Sequence, residues 1–302
     1  MKRHKLITLF FFLVISFVYG AGVGIYKWFP FDIVQSAKRK LEIATVGRLE
    51  FLSIAARNDI LKFDSKRKEV ACPASTDGTG VIVSLGQSNA ANSASYLYSP
   101  DEVPNVINWY DGRCYRAQSP LLGATGSKGE WISRTAQFLV ENGTYDNVIV
   151  LSLGVGSSPI AAWTSGSKLN DRLLQNLKNI GNLYNVTDLI WHQGETDLLW
   201  GVGQSQYYNS FLNLKHSIRS AGIDAPIFMS IASYCNGGVY PNSITMAQME
   251  LVEKIDGIEL GVNTDLMITP QMRHDNCHFN LTGQDAAASE LASLIASFHK
   301  TS

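Results

Sequence analysis

Short apolar runs rich in β-branched residues alternate with longer amphipathic stretches from Gly80 to the end of the chain. The apolar runs are Val81–Leu85, Val148–Leu153, Asp188–His192, Pro226–Ala232 and Ile258–Val262. Helical patterns lie between and after them, at about 130–142, 169–183, 204–221, 243–254 and 282–299. Near-continuous apolar strands separated by helices are typical of a parallel sheet that is covered on both faces. The pattern therefore predicts an α/β domain, a three-layer α/β/α sandwich with a mainly parallel sheet.

The first 26 residues have a different pattern. Residues 2–5 are basic, and residues 6–26 form a run of 21 residues without a charge. A run of this length can cross a bilayer as a helix, and basic residues before it place the rest of the chain outside the cytoplasm. The run is either an uncleaved signal anchor or a signal peptide cleaved near Gly20. Both interpretations predict an extracytoplasmic protein, in a periplasm, on a cell surface or secreted.

Residues 27–78 resemble a stalk or linker. They contain a basic amphipathic stretch at 31–44 and a charged run at 64–69, and a turn-rich segment follows at 73–80. Such turn-rich segments often mark a domain boundary. We therefore expect the globular domain to occupy residues 79–302.

Charge and cysteine content narrow the possible partners. The formal net charge of −1 gives no electrostatic footprint for nucleic acid. None of the four cysteines forms a CxxC pair or has the spacing of a zinc site, so we expect neither metal nor cofactor. An even number of cysteines in an exported chain favours disulfides over free buried thiols. Cys235 and Cys277 follow two late elements of the sheet pattern, so we predict a Cys235–Cys277 bond, with Cys72–Cys114 as the second pair.

Polar clusters stand directly after the predicted strands. They are Gly86–Asn89, Gly154–Ser158 and His192–Asp197, and a fourth cluster, Arg273–His278, lies in a late loop. In open α/β sheets, ligands bind beyond the carboxyl ends of the strands. The fold would therefore bring these four clusters together at one edge of the sheet.

The four clusters, in this order, resemble the SGNH-hydrolase superfamily. GQSN, a glycine-rich loop, WHQGETD and DxxH are similar to the sialate O-acetylesterase and acetylxylan-esterase branch, in which GQSN stands in place of the lipase-type GDS. The resemblance covers about residues 79–299. It implies a flavodoxin-like sandwich and a serine esterase.

The chemistry of the residue types agrees with this resemblance. A serine hydroxyl needs a base to become a nucleophile, which makes Ser88 the candidate nucleophile and His278 the candidate base. Asp275 can hold the imidazole in the required tautomer. Two rivals remain open, since His274 adjoins Asp275 and Asp285 could replace Asp275 as the partner of the base.

The resemblance also implies an oxyanion hole. Its donors would be the backbone N–H of Ser88, the backbone N–H of Gly156 and the side-chain amide of Gln193, with Gly154 as the alternative to Gly156. In the wider superfamily an asparagine takes the place of this glutamine.

Other residues are weaker candidates. Trp163 could stack on a sugar ring, and Arg113 and Arg116 could bind a carboxylate such as that of a sialic acid. Packing and solvent exposure are the ordinary alternatives for these three residues. Glu195 and Asp197 are interpreted as acids that hydrogen-bond the loop, since ester cleavage needs no pair of acid catalysts.

Taken with the export signal, these residues predict an enzyme that removes O-acetyl groups from a carbohydrate through an acyl-enzyme. The substrate would be sialic acid, xylan or a surface polysaccharide. The alternatives are another SGNH ester hydrolase such as a lipase or thioesterase, an extracytoplasmic glycan O-acetyltransferase, and a non-catalytic glycan-binding relative. A membrane contact is expected only if residues 6–26 remain uncleaved.

Overall fold

A computed structural model describes residues 14, 16, 18–19, 60–64 and 67–301. Most of the predicted export segment at 6–26 and the first part of the predicted stalk lie outside the described residues. Within the described residues, no helix combines the length and the apolar character needed to span a membrane.

In the described part of the chain, eight strands form one sheet. They are β1 (Glu69–Val70), β2 (Thr79–Gly86), β3 (Val106–Tyr110), β4 (Arg113–Arg116), β5 (Asn147–Ser152), β6 (Asp188–His192), β7 (Ile227–Ile231) and β8 (Ile258–Asn263). Their order is β1-β4-β3-β5-β2-β6-β7-β8, and β4 runs antiparallel to both of its neighbours. The other pairs are parallel, which confirms the predicted fold class.

Helices cover both faces of this sheet. They are α1 (Ile132–Glu141), α2 (Lys168–Gly181), α3 (Glu195–Leu199), α4 (Gln204–Ser220), α5 (Ser243–Lys254), α6 (Thr264–Met267) and α7 (Leu281–Thr301). Apolar residues of α2, α4 and α5 belong to one buried core, and those of α1 and α7 belong to the other. The result is the α/β/α sandwich that the sequence predicts.

Strand β2 lies near the middle of the sheet, and every one of its residues is buried. Val81, Val83 and Leu85 enter one core while Ile82 enters the other, because successive side chains of a strand point to opposite faces. Burial on both faces explains why this strand is a continuous apolar run instead of an alternating one. Its carboxyl end, between β5 and β6, is where such folds place their ligands.

Residues that precede β2 also pack on this domain. Ile60 forms an isolated antiparallel bridge with Thr125, and β1 adds a short strand to the edge of the sheet. The buried Arg67 side chain donates a hydrogen bond of 2.6 Å to the carbonyl of Gln118. Backbone pairing and one buried guanidinium thus fasten the described residues of 60–78 to the domain that we predict to begin at residue 79.

Candidate active site

The turn after β2 places Ser88 at the edge of the sheet. Gly86 has a φ of 127°, and a Cβ there would overlap the carbonyl oxygen of His192, so only glycine fits. The next residues form a 3-10 segment, Ser88–Ala90, in which Ser88 is 8% exposed. The Ser88 N–H opens this segment and therefore has no acceptor inside it.

A loop before α7 holds Asp275 against His278. The Asp275 Oδ2 atom lies 2.7 Å from Nδ1 of His278, and Oδ1 accepts the N–H groups of Cys277 at 3.1 Å and His278 at 2.7 Å. Burial acts to raise the pKa of Asp275, but the hydrogen bonds from His278 and Cys277 outweigh it and lower the pKa to about 2. An ionised carboxylate can only accept, so the proton of a neutral His278 is on Nδ1 and its Nε2 is a free base.

This loop is fastened to the chain that follows Ser88. Asn89 donates its side-chain N–H to the Cys277 carbonyl at 3.3 Å, and the His274 Nε2 atom lies 3.1 Å from the carbonyl of Ser93. The candidate base and the candidate nucleophile are thereby carried by two segments that contact each other directly.

The Ser88 hydroxyl has no hydrogen bond to His278, or to any other described residue, in this structure. Nucleophile–base hydrogen bonds are often long without substrate and tighten in the complex.

A disulfide fastens the loop Arg273–His278, called the base loop below because it carries the candidate base. Cys277, between Asp275 and His278, is bonded to Cys235, which follows β7. A second disulfide joins Cys72 to Cys114 of β4. Both predicted pairings are confirmed.

The Gln193 amide group donates to buried acceptors, whereas the sequence predicts that it donates to an oxyanion. The side chain is fully buried, and its Nε2 group donates to Gln87 Oε1 at 3.2 Å, to the Ser158 carbonyl at 3.1 Å and to Asp197 Oδ2. Three acceptors surround a group with two hydrogens, so no N–H remains for an oxyanion.

Gln87 was not singled out in the sequence. Its amide oxygen is held by hydrogen bonds, whereas its amide N–H groups have no acceptor among the described residues. Its Oε1 atom accepts from Gln193, from the Gly194 N–H at 3.4 Å and from the Thr196 N–H at 3.1 Å. These bonds fix the amide plane beside Ser88. Among the described residues, no acceptor binds its Nε2 group, and this atom is not one of the fully buried unpaired atoms.

The glycine-rich loop after β5 approaches the same turn. A Cβ on Gly154 would overlap the Ala90 carbonyl, so the backbone of this loop lies directly against the segment that carries Ser88. Gly156 is partly exposed and donates its N–H to Thr125 Oγ1 at 2.7 Å. Of the two glycines, Gly156 is therefore the one nearer to solvent.

The acids after β6 are buried in the loop. Glu195 Oε1 accepts from the Asn89 amide at 2.9 Å, and Asp197 Oδ2 accepts the Ile160 N–H at 2.9 Å. Burial raises the pKa of Asp197 to about 7. Their hydrogen bonds hold the loops after β2, β5 and β6 together.

Comparison with known proteins decides the family. The family described as carbohydrate esterase, sialic acid-specific acetylesterase, matches residues 79–297, which include the Ser88 turn and the base loop. The chain belongs to this carbohydrate esterase family. It is a carboxylic ester hydrolase. No curated protein matches the chain.

Solved structures share the fold of this carbohydrate esterase. An Arabidopsis thaliana protein has a TM-score of 0.62 at 18% identity and covers 74% of this chain and 99% of its own. NanS has a TM-score of 0.55 at 15% identity, covering 76% and 100%. A carbohydrate acetylesterase from Xanthomonas citri has a TM-score of 0.51 at 16% identity, covering 73% and 56%. At such identities the likeness concerns the fold alone.

The three weaker candidates of the esterase are either buried or distant from Ser88. Trp163 is 1% exposed, its indole N–H donates to Ser158 Oγ at 2.9 Å, and its ring packs on Trp191, which leaves no face for a sugar. Arg113 and Arg116 lie on β4, three strands from β2, which is about 14 Å across the sheet. They face Glu69 and Asp101 respectively, each at 3.5 Å.

Proposed function

We propose that this esterase removes O-acetyl groups from a carbohydrate through a covalent acetyl-enzyme on Ser88. The observation that carries the proposal is the 2.7 Å contact between Asp275 and the Nδ1 atom of His278, because it leaves the Nε2 atom of the imidazole free to accept a proton. The hydrogen bonds between the base loop and the segment after Ser88 support the same assignment.

The reaction divides into two steps with the same base. His278 Nε2 takes the Ser88 hydroxyl proton while Oγ bonds to the acetyl carbon, and the proton then passes to the sugar oxygen as its bond to the acetyl group breaks. Water repeats the sequence, giving its proton to His278 and its oxygen to the acetyl carbon. Acetate leaves, and the Ser88 hydroxyl is restored.

The negative oxygen formed in each step needs donors. We assign the Ser88 N–H, the Gly156 N–H, which would exchange Thr125 Oγ1 for the oxyanion, and the Nε2 group of Gln87 in place of Gln193. Removal of one such donor typically lowers kcat by about 10²–10³-fold.

Family membership and compartment support an acetylated glycan as substrate. NanS and the Xanthomonas citri protein, which is named a carbohydrate acetylesterase, share the fold. Two disulfides are typical of an oxidising, extracytoplasmic compartment. We propose sialic acid, xylan or a surface polysaccharide as the acetylated substrate, and residues 6–26 as the membrane anchor if they are not cleaved.

The test is acetate release from a panel of acetylated glycans, with p-nitrophenyl acetate as a general substrate. Ser88→Ala and His278→Ala should abolish nearly all turnover, and Asp275→Asn should lower kcat by about 10⁴-fold because the imidazole would adopt the wrong tautomer. Asp285→Asn is the matched control, since Asp285 lies on α7 and its carboxylate accepts a hydrogen bond from the Tyr98 hydroxyl and none from His278. Normal rates in His278→Ala would reject the assignment and make His274 the base.

A further inference from the structure

The base loop holds three possible metal ligands, and two of them are the pair proposed for catalysis. His274, Asp275 and His278 each offer one ligand atom, and these atoms lie within 4.8 Å of one another. Asp275 Oδ2 is central, at 2.7 Å from Nδ1 of His278 and 3.7 Å from Nδ1 of His274. The two imidazole rings are stacked, with their centroids 5.9 Å apart and their planes at 26°.

The orientation of His274 is fixed by a backbone group. Its Nε2 atom lies 3.1 Å from the Ser93 carbonyl, which can only accept, so Nε2 carries the proton. A neutral His274 therefore has its lone pair on Nδ1, the atom nearer to Asp275. A histidine that donates one ring N–H to a carbonyl and presents the other nitrogen is the usual arrangement of a protein metal ligand.

The distances suit a small tetrahedral ion. Zn²⁺ binds histidine nitrogen and carboxylate oxygen at about 2.0–2.2 Å, so neighbouring ligand atoms are about 3.3 Å apart. The two separations from Asp275 Oδ2, 2.7 and 3.7 Å, lie on either side of this value, and all three ligand atoms lie within 4.8 Å of one another. His274 and Asp275 are exposed and His278 is partly exposed, so an ion can reach them from solvent.

We propose that the base loop binds one Zn²⁺ ion through His274 Nδ1, Asp275 Oδ2 and His278 Nδ1, and that this ion switches the esterase off. Water fills the fourth position of the tetrahedron. The inhibitory part of the proposal rests on the proposed function, because it takes His278 as the base, whereas the binding part rests on the three donors alone.

The mechanism of inhibition is a change of tautomer. Zinc occupies His278 Nδ1, so the proton of the neutral ring moves from Nδ1 to Nε2 through solvent, with no net release. Nε2 then has no lone pair and cannot accept the Ser88 proton. Asp275 is also withdrawn from its hydrogen bond to the ring, so both functions of the base loop are lost together.

The experiment uses the full chain without a polyhistidine tag. ZnCl₂ is titrated against a chromogenic zinc chelator to measure binding, and in parallel against p-nitrophenyl acetate hydrolysis, with each variant's rate divided by its own zinc-free rate. His274→Asn removes one ligand, and His274→Phe removes it while keeping an aromatic ring stacked on His278. His216→Asn is the control, since His216 is an exposed histidine on α4 far along the sequence from this loop.

We expect one zinc per chain, with binding and inhibition sharing one midpoint. Both His274 variants should weaken both midpoints by about tenfold or more, since even loss of a residue that only supports a ligand costs 10–100-fold in affinity. His216→Asn should leave them unchanged. Binding that His274→Asn and His274→Phe do not weaken would overturn the site, as would no binding at all. Stoichiometric binding lost in both variants, but without inhibition, would uphold the site and refute His278 as the base.

Discussion

The two disulfides offer a matched test of how the base loop is held. Each joins cysteines 42 residues apart in sequence, so each closes a loop of the same length in the unfolded chain. In the chain-entropy description, loss of such a bond lowers the free energy of unfolding by about 4 kcal/mol. Cys72→Ser/Cys114→Ser and Cys235→Ser/Cys277→Ser should therefore destabilise the fold by similar amounts.

Turnover should separate the two double variants. Cys277 lies between Asp275 and His278 in the chain, whereas the Cys72–Cys114 bond lies toward the far edge of the sheet, at β4. Without its disulfide the loop still has a 2.5 Å bond from the Arg273 guanidinium to the Cys277 carbonyl, so it should shift and not unfold. A shift of about 1 Å at a reacting group costs on the order of a hundredfold. We expect kcat for the Cys235/Cys277 variant to fall by about 10–100-fold.

The assay compares kcat and KM for p-nitrophenyl acetate with the midpoint of urea unfolding for both double variants. Rates are measured without urea, at a temperature at which far-UV circular dichroism shows that each variant is folded. The expected result is equal midpoints and unequal kcat. Equal kcat values in the two variants would refute the argument that the disulfide positions the base, and unequal midpoints would refute the entropic account of its stability.

Three further outcomes are expected. The hydrogen bond to Asp188 raises the pKa of His299 above its usual 6.5. This pair therefore stabilises the fold fully below pH 6.5 and loses its contribution as the pH rises through the raised pKa. The free energy of unfolding in urea should depend less on pH between 6 and 9 for His299→Gln than for wild type. A chain that begins at Ile60 should unfold at a higher temperature than one that begins at Pro73, which lacks Arg67, β1 and one disulfide. EDTA should not lower esterase activity; loss of activity that a divalent ion restores would contradict the serine mechanism.

The central elements could be predicted from the sequence. The central strands are buried on both faces and are therefore continuous apolar runs, and the helices bury one stripe and therefore show a helical period. The run Asp188–His192 coincides with β6, and the pattern at 243–254 coincides with α5. The three strands at one end of the sheet, β1, β4 and β3, were missed. β1 has two residues and β4 has four, with one buried residue in β4 and none in β1, so neither has enough apolar positions to form a recognisable period.

Some residues of the candidate site could also be predicted from the sequence, and others could not. The order of the four polar clusters along the chain predicts Ser88, Asp275 and His278 as the triad, since the carboxyl ends of parallel strands meet at one edge. The direction of a side chain cannot be read from such an order. Gln87 and Gln193 are both glutamines directly after a strand. The hydrogen bonds of Gln193 to Gln87, Ser158 and Asp197 show that its amide group faces inward.

The buried polar atoms beneath Ser88 give a physical reason for this density of amides and acids. Nine side-chain nitrogen or oxygen atoms in the described part of the chain are buried without a hydrogen-bond partner, and five of them belong to the two clusters after β2 and β6: Asn89 Oδ1, His192 Nδ1, Gln193 Oε1, Glu195 Oε2 and Asp197 Oδ1. Each unpaired atom costs about 1–3 kcal/mol, so a sequence selected for stability alone would place apolar residues there. Their concentration beside the proposed nucleophile, Ser88, is what we expect of a region that holds loops in position for chemistry at the expense of stability.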